Sequence, residues 1–293
     1  MAAERATSFS WEKPVNDSAR TAADAATRPE PTGFFEPADH GYSPLETARG
    51  PWGQDTLGGQ ALAALAAREL EHHCPIAFGG GRITVDFIRA TTFGPLESRV
   101  EVARSSSRIA LVLVDLVQSD RVVLKASGLF VAQPAGDNGG GNAWSPDSEF
   151  VYPALPPAAP GPQPALMSSA GYPDDWSSDF SAHRNNARKR MWAPAMISAV
   201  HGEEASAFVR VSTLAEGTSF ITNWGGEAVP YMNVDFTMNL LRIPEPGGLG
   251  LESSGQFVAN GISVGSASLY DEKGIVGVSS VTCLALPNRS VKF

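Results

Sequence analysis

The pattern of apolar and polar residues along the chain changes sharply at Leu57. Residues 61–67 read Ala-Leu-Ala-Ala-Leu-Ala-Ala, a run of strong helix formers that is apolar all round. A helix without a polar face belongs inside a fold rather than on its surface. The sequence therefore predicts a buried helix that opens at Gly58-Gly59-Gln60.

Strand patterns follow this predicted helix. The first strand alternates, with Ile83, Val85 and Phe87 on one face, and the third is nearly continuously apolar, as in a strand covered on both faces. The predicted strands are residues 82–89, 97–103, 109–117 and 122–132, with a hairpin turn at Ser119-Asp120. One buried helix followed by antiparallel strands predicts a sheet that wraps around the helix.

The second half of the chain repeats short motifs of the first. Thr84-Val85-Asp86-Phe87 recurs as Asn233-Val234-Asp235-Phe236, and Leu96-Glu97-Ser98 recurs as Leu251-Glu252-Ser253. The hairpin turn has its counterpart at residues 271–274, so all three offsets are about 150 residues. On this alignment Asp86 and Asp235 occupy matching positions, and residues 203–216 stand where the first half has its helix. The alternative is one large β-sandwich with incidental similarity.

Composition divides the chain into four parts. Residues 1–33 are rich in Ala, Thr, Pro and charge, which predicts a flexible arm. Residues 134–180 carry a glycine triplet and several prolines, and they are too long for an ordinary loop. We therefore expect a linker there, between an N-terminal domain over residues 34–133 and a C-terminal domain over residues 181–293.

Charge and cysteine content exclude several classes of protein. The net charge of −9 argues against a nucleic-acid partner. Cys74 and Cys283 lie far apart and form no disulfide framework, which favours a reducing compartment. The chain contains no apolar run of about 20 residues and no apolar signal segment, so we expect a cytoplasmic protein that does not bind membranes.

Three motifs carry a resemblance to a known family. Leu57-Gly58-Gly59-Gln60 resembles the Phe-Gly-Gly-Gln element that opens the first hotdog helix of double-hotdog acyl-CoA thioesterases. Gly50-Pro51-Trp52 resembles the Gly-Pro-Trp signature of the fungal and actinobacterial branch of the thioesterase-like superfamily. Asn233-Val234-Asp235-Phe236, with Arg242 behind it, is similar to the Asn-Pro-Asp-Leu strand of that branch. The resemblance covers residues 45–133 and 190–287.

The resemblance implies an α+β double hotdog, two tandem domains that each wrap an antiparallel sheet around a central helix. It also implies hydrolysis of an acyl thioester, carried by coenzyme A or a carrier protein, at the junction of the two domains. The products are a free carboxylic acid and a thiol. No metal and no other cofactor is implied, and a homo-oligomer is expected.

The family's water-activating residues are an Asp on the second helix, a Thr or Asn on the next strand and a Gln on the last strand. These positions fall at Glu216, Asn233 and Val281. A valine side chain neither donates nor accepts a hydrogen bond, so one polar group is missing, and losing one such donor slows acyl transfer by roughly 10²–10³-fold. The candidates to replace it are Gln60, Ser280 and Thr282.

The remaining candidate site residues complete the prediction. Trp52 and Gly58-Gly59-Gln60, together with Val281, are the predicted substrate contacts, and the glycine amides at a helix N-terminus suit a developing oxyanion. Asp235 is a third catalytic candidate, either paired with Asp86 or in a structural role. The valine also keeps two other functions open: a dehydratase or hydrolase that tailors a polyketide or acyl intermediate, and a non-catalytic acyl-binding protein.

Three further motifs receive a less specific interpretation. Ser263 lies in a Gly-x-Ser-x-Gly sequence, but the alternating pattern around it predicts a strand interior rather than a nucleophile elbow. His72-His73-Cys74 lacks the spacing of a metal site, and histidines at a helix C-terminus explain it. A basic cluster, Arg184 with residues 188–190, forms either a solvated face or a contact for the phosphates of coenzyme A.

Overall fold

The computed structural model describes residues 32–53, 55–134, 155–156, 164–170, 176–286 and 290–292. In the first half the elements are β1 (Gly33–Ala38), β2 (Gly41–Pro44), α1 (Gly59–His72), β3 (Gly80–Phe87), β4 (Glu97–Ser105), β5 (Ile109–Gln118) and β6 (Arg121–Val131). In the second half they are β7 (Leu166–Ser169), β8 (Lys189–Ala193), β9 (Ser198–Val200), α2 (Ala207–Glu216), α3 (Thr218–Asn223), β10 (Ala228–Val229), β11 (Tyr231–Asn233), β12 (Asp235–Leu240), β13 (Leu249–Ala259), β14 (Ile262–Asp271), β15 (Gly274–Ala285) and β16 (Val291–Lys292). In each half the helix is followed by the predicted strands, but short strands that were not predicted, β1 and β2 in the first half and β7 to β9 in the second, come before it.

Among the described residues, eleven strands form one antiparallel sheet that runs through both halves. Its order is β4-β5-β6-β3-β12-β15-β14-β13-β8-β7, with β11 beside β15. The halves join where β3 pairs with β12, so the sheet is continuous across the junction. β7 lies inside the range that composition predicted as a linker, residues 134–180, and extends the sheet edge through β8. The flexible arm predicted for residues 1–33 lies almost wholly outside the described residues, as does most of that linker.

The hydrogen-bond register gives the repeat its length. The Ile109–Val131 pair of the first half corresponds to the Ile262–Leu284 pair of the second, and each residue is displaced by 153 positions. At this offset Asp86 corresponds to Asn239, so the alignment of Asp86 with Asp235 was wrong. These two aspartates are cross-strand partners at the junction. The similarity between residues 84–87 and residues 233–236 is therefore four residues out of register with the structural repeat. The pairing between strands, and not the local motif, determines which residues correspond.

Helix α1 is buried as its sequence predicts. Residues 61–67 are all between 0 and 4% exposed, and the helix packs against β5, β6 and α2. Its alanines let neighbouring elements approach closely, while Leu62 and Leu65 fill the space between them. The second helical segment, predicted over residues 203–216, begins at Ala207 and continues through Gly217 into α3.

Tight turns of the predicted kind connect the central strands. Ser119 and Asp120 have φ angles of 50° and 60°, which are the left-handed values that a two-residue type I′ hairpin requires. Asn260 and Gly261, at 52° and 78°, make a turn of the same kind between β13 and β14. Among the described residues, no helix is long and apolar enough to cross a membrane.

Candidate active site

The start of α1 meets the end of α2. A Cβ atom on Gly59, the first residue of α1, would lie 2.2 Å from Oε1 of Glu216, the last residue of α2. At the opposite ends, Glu71 of α1 accepts a hydrogen bond from Ser206, the N-cap of α2. The two helices therefore run antiparallel, and only glycine leaves room for the Glu216 carboxylate at the N-terminus of α1.

Glu216 is a buried carboxylic acid. Its side chain accepts a hydrogen bond of 3.0 Å from the Asn233 amide, and the residue is 8% exposed. Burial raises the pKa of Glu216 to about 7, although the hydrogen bond from Asn233 acts in the opposite direction. A carboxyl group with this pKa exchanges a proton readily near neutral pH, which is the property a general base needs.

A β-bulge at Val234 separates Asn233 from Asp235. Asn233 of β11 pairs with Cys283 of β15, whereas Thr237 of β12 pairs with Ser280 of β15. The register against β15 therefore shifts by one residue between β11 and β12. Such a shift turns the side chains that follow to the other face of the sheet. Asn233 consequently points to the helices and reaches Glu216.

Asp235 points to the opposite face of the sheet. Its carboxylate accepts hydrogen bonds from the backbone amide of Thr282, at 2.5 Å, and from the Thr282 hydroxyl, at 3.2 Å. Asp86 is its exposed cross-strand partner. The structure therefore brings Glu216 and Asn233 together and places Asp235 away from them, in contact with β15.

The first turn of α1 offers backbone donors beside Glu216. In any α-helix the first amides have no intrahelical acceptor, and here the N-cap Gly58 supplies no capping side chain. The Gly58 amide itself donates to Ala48 at 2.8 Å. The next amides, those of Gly59 and Gln60, stand at the positive end of the helix dipole, where negative charge is stabilised. Both are predicted substrate contacts.

The loop that carries Trp52 is fixed next to this turn. Its two ends meet at an isolated bridge between Arg49 and Leu57, and the Gly50 amide donates to Thr56 at 2.8 Å. A Cβ atom on Gly50 would lie 2.8 Å from the Leu57 carbonyl, which explains the glycine. Trp52 is half-buried in this loop. Gly50, the first residue of the Gly-Pro-Trp signature, thus lies directly against the start of α1.

Val281 lies on the helix-facing side of β15 and is 1% exposed. Its neighbours on that face are Ser279 and Cys283, which hydrogen-bond to the helical segment of the second half. Because side chains alternate along a strand, Ser280 and Thr282 point to the other face. Of the three candidates to replace the missing family glutamine, Gln60 follows directly after Gly59, whose Cβ position contacts Glu216.

The Gly-x-Ser-x-Gly serine lies inside a strand, as predicted. Ser263 is fully buried in β14 and donates a 2.6 Å hydrogen bond to Oδ1 of Asn223. The same asparagine donates to the sulfur of Cys283 at 3.3 Å and accepts from Gln256 at 3.0 Å. Burial raises the pKa of Cys283 to about 12, so this cysteine remains a thiol. No motif in the sequence predicted that these side chains meet.

Several members of the basic cluster contact other groups of the chain. Lys189 is 1% exposed and donates to Asn185 and Ala187, and burial lowers its pKa to about 8. Arg188 and Arg190 lie 3.7 and 3.3 Å from the buried carboxylate of Glu252. Arg184 is exposed. Most of the cluster is therefore engaged within the chain.

Two open clefts, of about 400 and 500 Å³, lie against the other end of α1 and both border Arg68 and Glu203. The Arg68 guanidinium bonds Glu203 at 2.7 Å and Glu69 at 2.5 Å, so the charge of Arg68 is paired with two carboxylates. The histidines at this end, His72 and His73, contact each other edge to face. Within the described ranges, no three His, Cys, Asp or Glu side chains are grouped so as to hold a metal ion.

Comparison with known proteins identifies the class. The family model for the acyl-CoA thioesterase N-terminal domain matches residues 48–131, and that for the C-terminal domain matches residues 149–284. Together they span most of the chain and both candidate site elements. The protein belongs to the double-hotdog acyl-CoA thioesterase family. The predicted α+β double-hotdog fold is confirmed.

Solved structures share this fold at low sequence identity. An acyl-CoA thioesterase II of Mycobacterium marinum has a TM-score of 0.54 and 16% identity, covering 78% of this chain and 88% of its own. A conserved hotdog-fold protein of Alicyclobacillus acidocaldarius has a TM-score of 0.59 and 14% identity, covering 86% and 95%. The tesB protein of Mycobacterium avium subspecies paratuberculosis has a TM-score of 0.55 and 15% identity, covering 80% and 89%. A search of the curated proteins gave no match.

Proposed function

We propose that this protein hydrolyses acyl-CoA thioesters with water, at the meeting point of α1 and α2. The observation that carries the proposal is the buried Glu216 carboxyl, which has a pKa of about 7, a hydrogen bond from Asn233 and the N-terminus of α1 beside it. This arrangement supplies a base and an electropositive helix end within one small site.

The reaction follows from these groups. The thioester carbonyl oxygen is directed at the Gly59 and Gln60 amides, which stabilise the negative charge of a tetrahedral intermediate. Asn233 orients the attacking water, and the Glu216 carboxylate takes a proton as the new carbon–oxygen bond forms. Collapse of the intermediate breaks the carbon–sulfur bond. The leaving thiolate then recovers the proton from Glu216, so the products are a carboxylic acid and free thiol.

Val281 distinguishes this site from the pattern implied by the family resemblance. Since Ser280 and Thr282 face away, we assign the missing hydrogen-bonding role to Gln60, and we assign Asp235 to holding β15. We assign Trp52, in the loop before α1, to contact with the substrate. The cytoplasmic location and the homo-oligomer remain predictions.

The test is release of free thiol from acyl-CoAs of graded chain length. Wild type is expected to release thiol, and Glu216→Gln and Asn233→Ala are each expected to lower kcat/KM by about 10²–10³-fold. Asn239→Ala is the matched control for Asn233, because it removes an exposed asparagine from the adjoining strand β12. Full activity in both site variants would place hydrolysis elsewhere in the molecule.

The valine at position 281 also favours one alternative, an enzyme that tailors a single polyketide or acyl intermediate. Such an enzyme would release no thiol from simple acyl-CoAs. The mass of the product separates loss of water from hydrolysis, and substrate binding without any product indicates an acyl-binding protein.

A further inference from the structure

The position of Glu216 depends on a junction between two helices. Glu216 ends α2, Thr218 begins α3, and Gly217 is the capping residue of both. The carboxylate is therefore placed by the backbone of this junction as well as by its hydrogen bond from Asn233. A group that fixes the junction also fixes the base of the proposed reaction.

Ser279 of β15 binds both sides of this junction. Its hydroxyl donates to the Ala215 carbonyl at 3.2 Å and lies 2.7 Å from the Thr218 hydroxyl. A serine hydroxyl has one proton, so when that proton goes to Ala215, the hydrogen bond from Thr218 must be donated to Ser279. Thr218 is 0% and Ser279 is 2% exposed, so both hydroxyls are shielded from solvent.

The same strand also places the second partner of the carboxylate. Asn233 pairs with Cys283 of β15, and Ser279 lies four residues earlier on the same face of that strand. β15 thus sets the distance between the helix junction and Asn233. The hydrogen bond from Asn233 to Glu216 closes the arrangement.

We propose that Ser279, acting with Thr218, is a positioning residue that holds the Glu216 carboxylate between Gly59 and Asn233. This inference rests on the proposed function, because the position of a general base matters only if it takes a proton from water. Loss of the Ser279 hydroxyl leaves the Ala215 carbonyl without that donor and Thr218 without its acceptor. The junction then relaxes, and a misplaced base lowers kcat more than it changes KM.

The kinetic test compares matched hydroxyl deletions. Ser279→Ala and Thr218→Val remove one hydroxyl each, and Thr218→Ser keeps it. Thr213→Val is the control, since Thr213 is a fully buried hydroxyl on α2 that donates to Val209 within its own helix. We expect the first two to lower kcat by about 10–100-fold with KM changed by less than about threefold, and Thr218→Ser to keep most activity. Effects no larger than that of Thr213→Val would overturn the inference.

A second readout requires no turnover. Carbon-13 NMR of labelled glutamate carboxyls follows the titration of Glu216, whose signal is assigned by its absence in Glu216→Gln. The neighbouring titratable group, Cys283, stays protonated over this range. In Ser279→Ala and Thr218→Val the midpoint is expected to move down towards the ordinary glutamate pKa, as the carboxyl becomes more solvated.

An unchanged midpoint and chemical shift in both variants would overturn the positioning role, whatever the kinetics show. The two proposals also fail in different ways. If wild type releases no thiol from any acyl-CoA, the proposed hydrolysis fails, and the titration alone decides whether Ser279 holds Glu216.

Discussion

Thr84 and Thr237 are at once equivalent in the two halves and paired with each other across the junction. They lie 153 residues apart, pair directly between β3 and β12, and their hydroxyl oxygens are 3.1 Å apart. The pseudo-twofold axis that relates the two hotdog domains therefore passes between these two side chains. The continuous sheet, and with it the antiparallel helices above, is organised around this pair.

The pair predicts a symmetric response to mutation. Thr84→Val and Thr237→Val should each destabilise the protein by about 0.5–1.5 kcal/mol, because each removes the same hydrogen bond. The double variant should lose about 1 kcal/mol less than the sum of the single losses, since the two mutations share one interaction. Urea unfolding of the four proteins measures this. Additive losses would show that the two hydroxyls do not interact.

Gly59 should be essential for catalysis rather than for stability. In Gly59→Ala the new methyl group collides with the Glu216 carboxylate and displaces it, so kcat should fall by about 100-fold or more. Alanine is otherwise favourable in a helix. Gly53→Ala is the control, because its Cβ would meet nothing closer than Thr56 at 3.6 Å. Equal activity of both variants would show that Glu216 does not need its observed position.

Glu216 should make the protein less stable as pH rises. Its folded-state pKa of about 7 lies above the unfolded value of 4.5. The folded state therefore holds the proton more tightly, and this stabilisation is complete below pH 4.5 and is lost as pH rises to 7. The shift corresponds to about 3 kcal/mol at most.

Glu216→Gln removes this dependence. The variant should match wild type in urea unfolding at pH 4.5 and exceed its stability at pH 8, while its hydrolytic activity is lost. Activity of wild type should change in the opposite direction, with kcat/KM rising through pH 7 as the carboxylate forms. A variant that is less stable than wild type at pH 8 would contradict the burial of an ionised Glu216.

The two cysteines should differ in reactivity. Cys283 is 1% exposed, and burial raises its pKa to about 12, whereas Cys74 is half-buried at the end of α1. N-ethylmaleimide should therefore modify Cys74 first under native conditions, as followed by mass spectrometry of peptides. Cys283→Ala should retain activity within about threefold. Early modification of Cys283 would indicate that β15 opens in the native state.

Several features of the fold follow from local sequence. The alanine-rich run predicted a buried α1 because a helix without a polar face must lie inside the fold. The Ser119-Asp120 pair predicted a hairpin turn because these residues tolerate positive φ. The repeat was visible in the motifs, but its register was not. Thr84-Val85-Asp86-Phe87 resembles residues 233–236, yet pairing between distant strands sets the offset at 153.

The site was predictable only in part. The family resemblance pointed to Glu216, Asn233 and the glycines of α1, and the structure brings these together. Asp235 lies on the opposite face of the sheet from Asn233 because of a one-residue bulge at Val234. The apolar pattern of the sequence does not predict this bulge. The hydrogen bonds of Ser279 join residues more than 60 positions apart in the sequence, so no local pattern predicts them.

The most direct test uses two glutamates at opposite ends of the same helix pair. Glu71 mirrors Glu216, since each is a carboxyl near the end of one helix whose pKa is raised by burial and which faces the start of the other helix. Initial rates of thiol release should be measured for wild type, Glu216→Gln and Glu71→Gln with one acyl-CoA substrate. Loss of about 10²-fold or more in Glu216→Gln, with Glu71→Gln close to wild type, is the expected result. Equal rates in Glu216→Gln and wild type would contradict the assignment of Glu216 as the base.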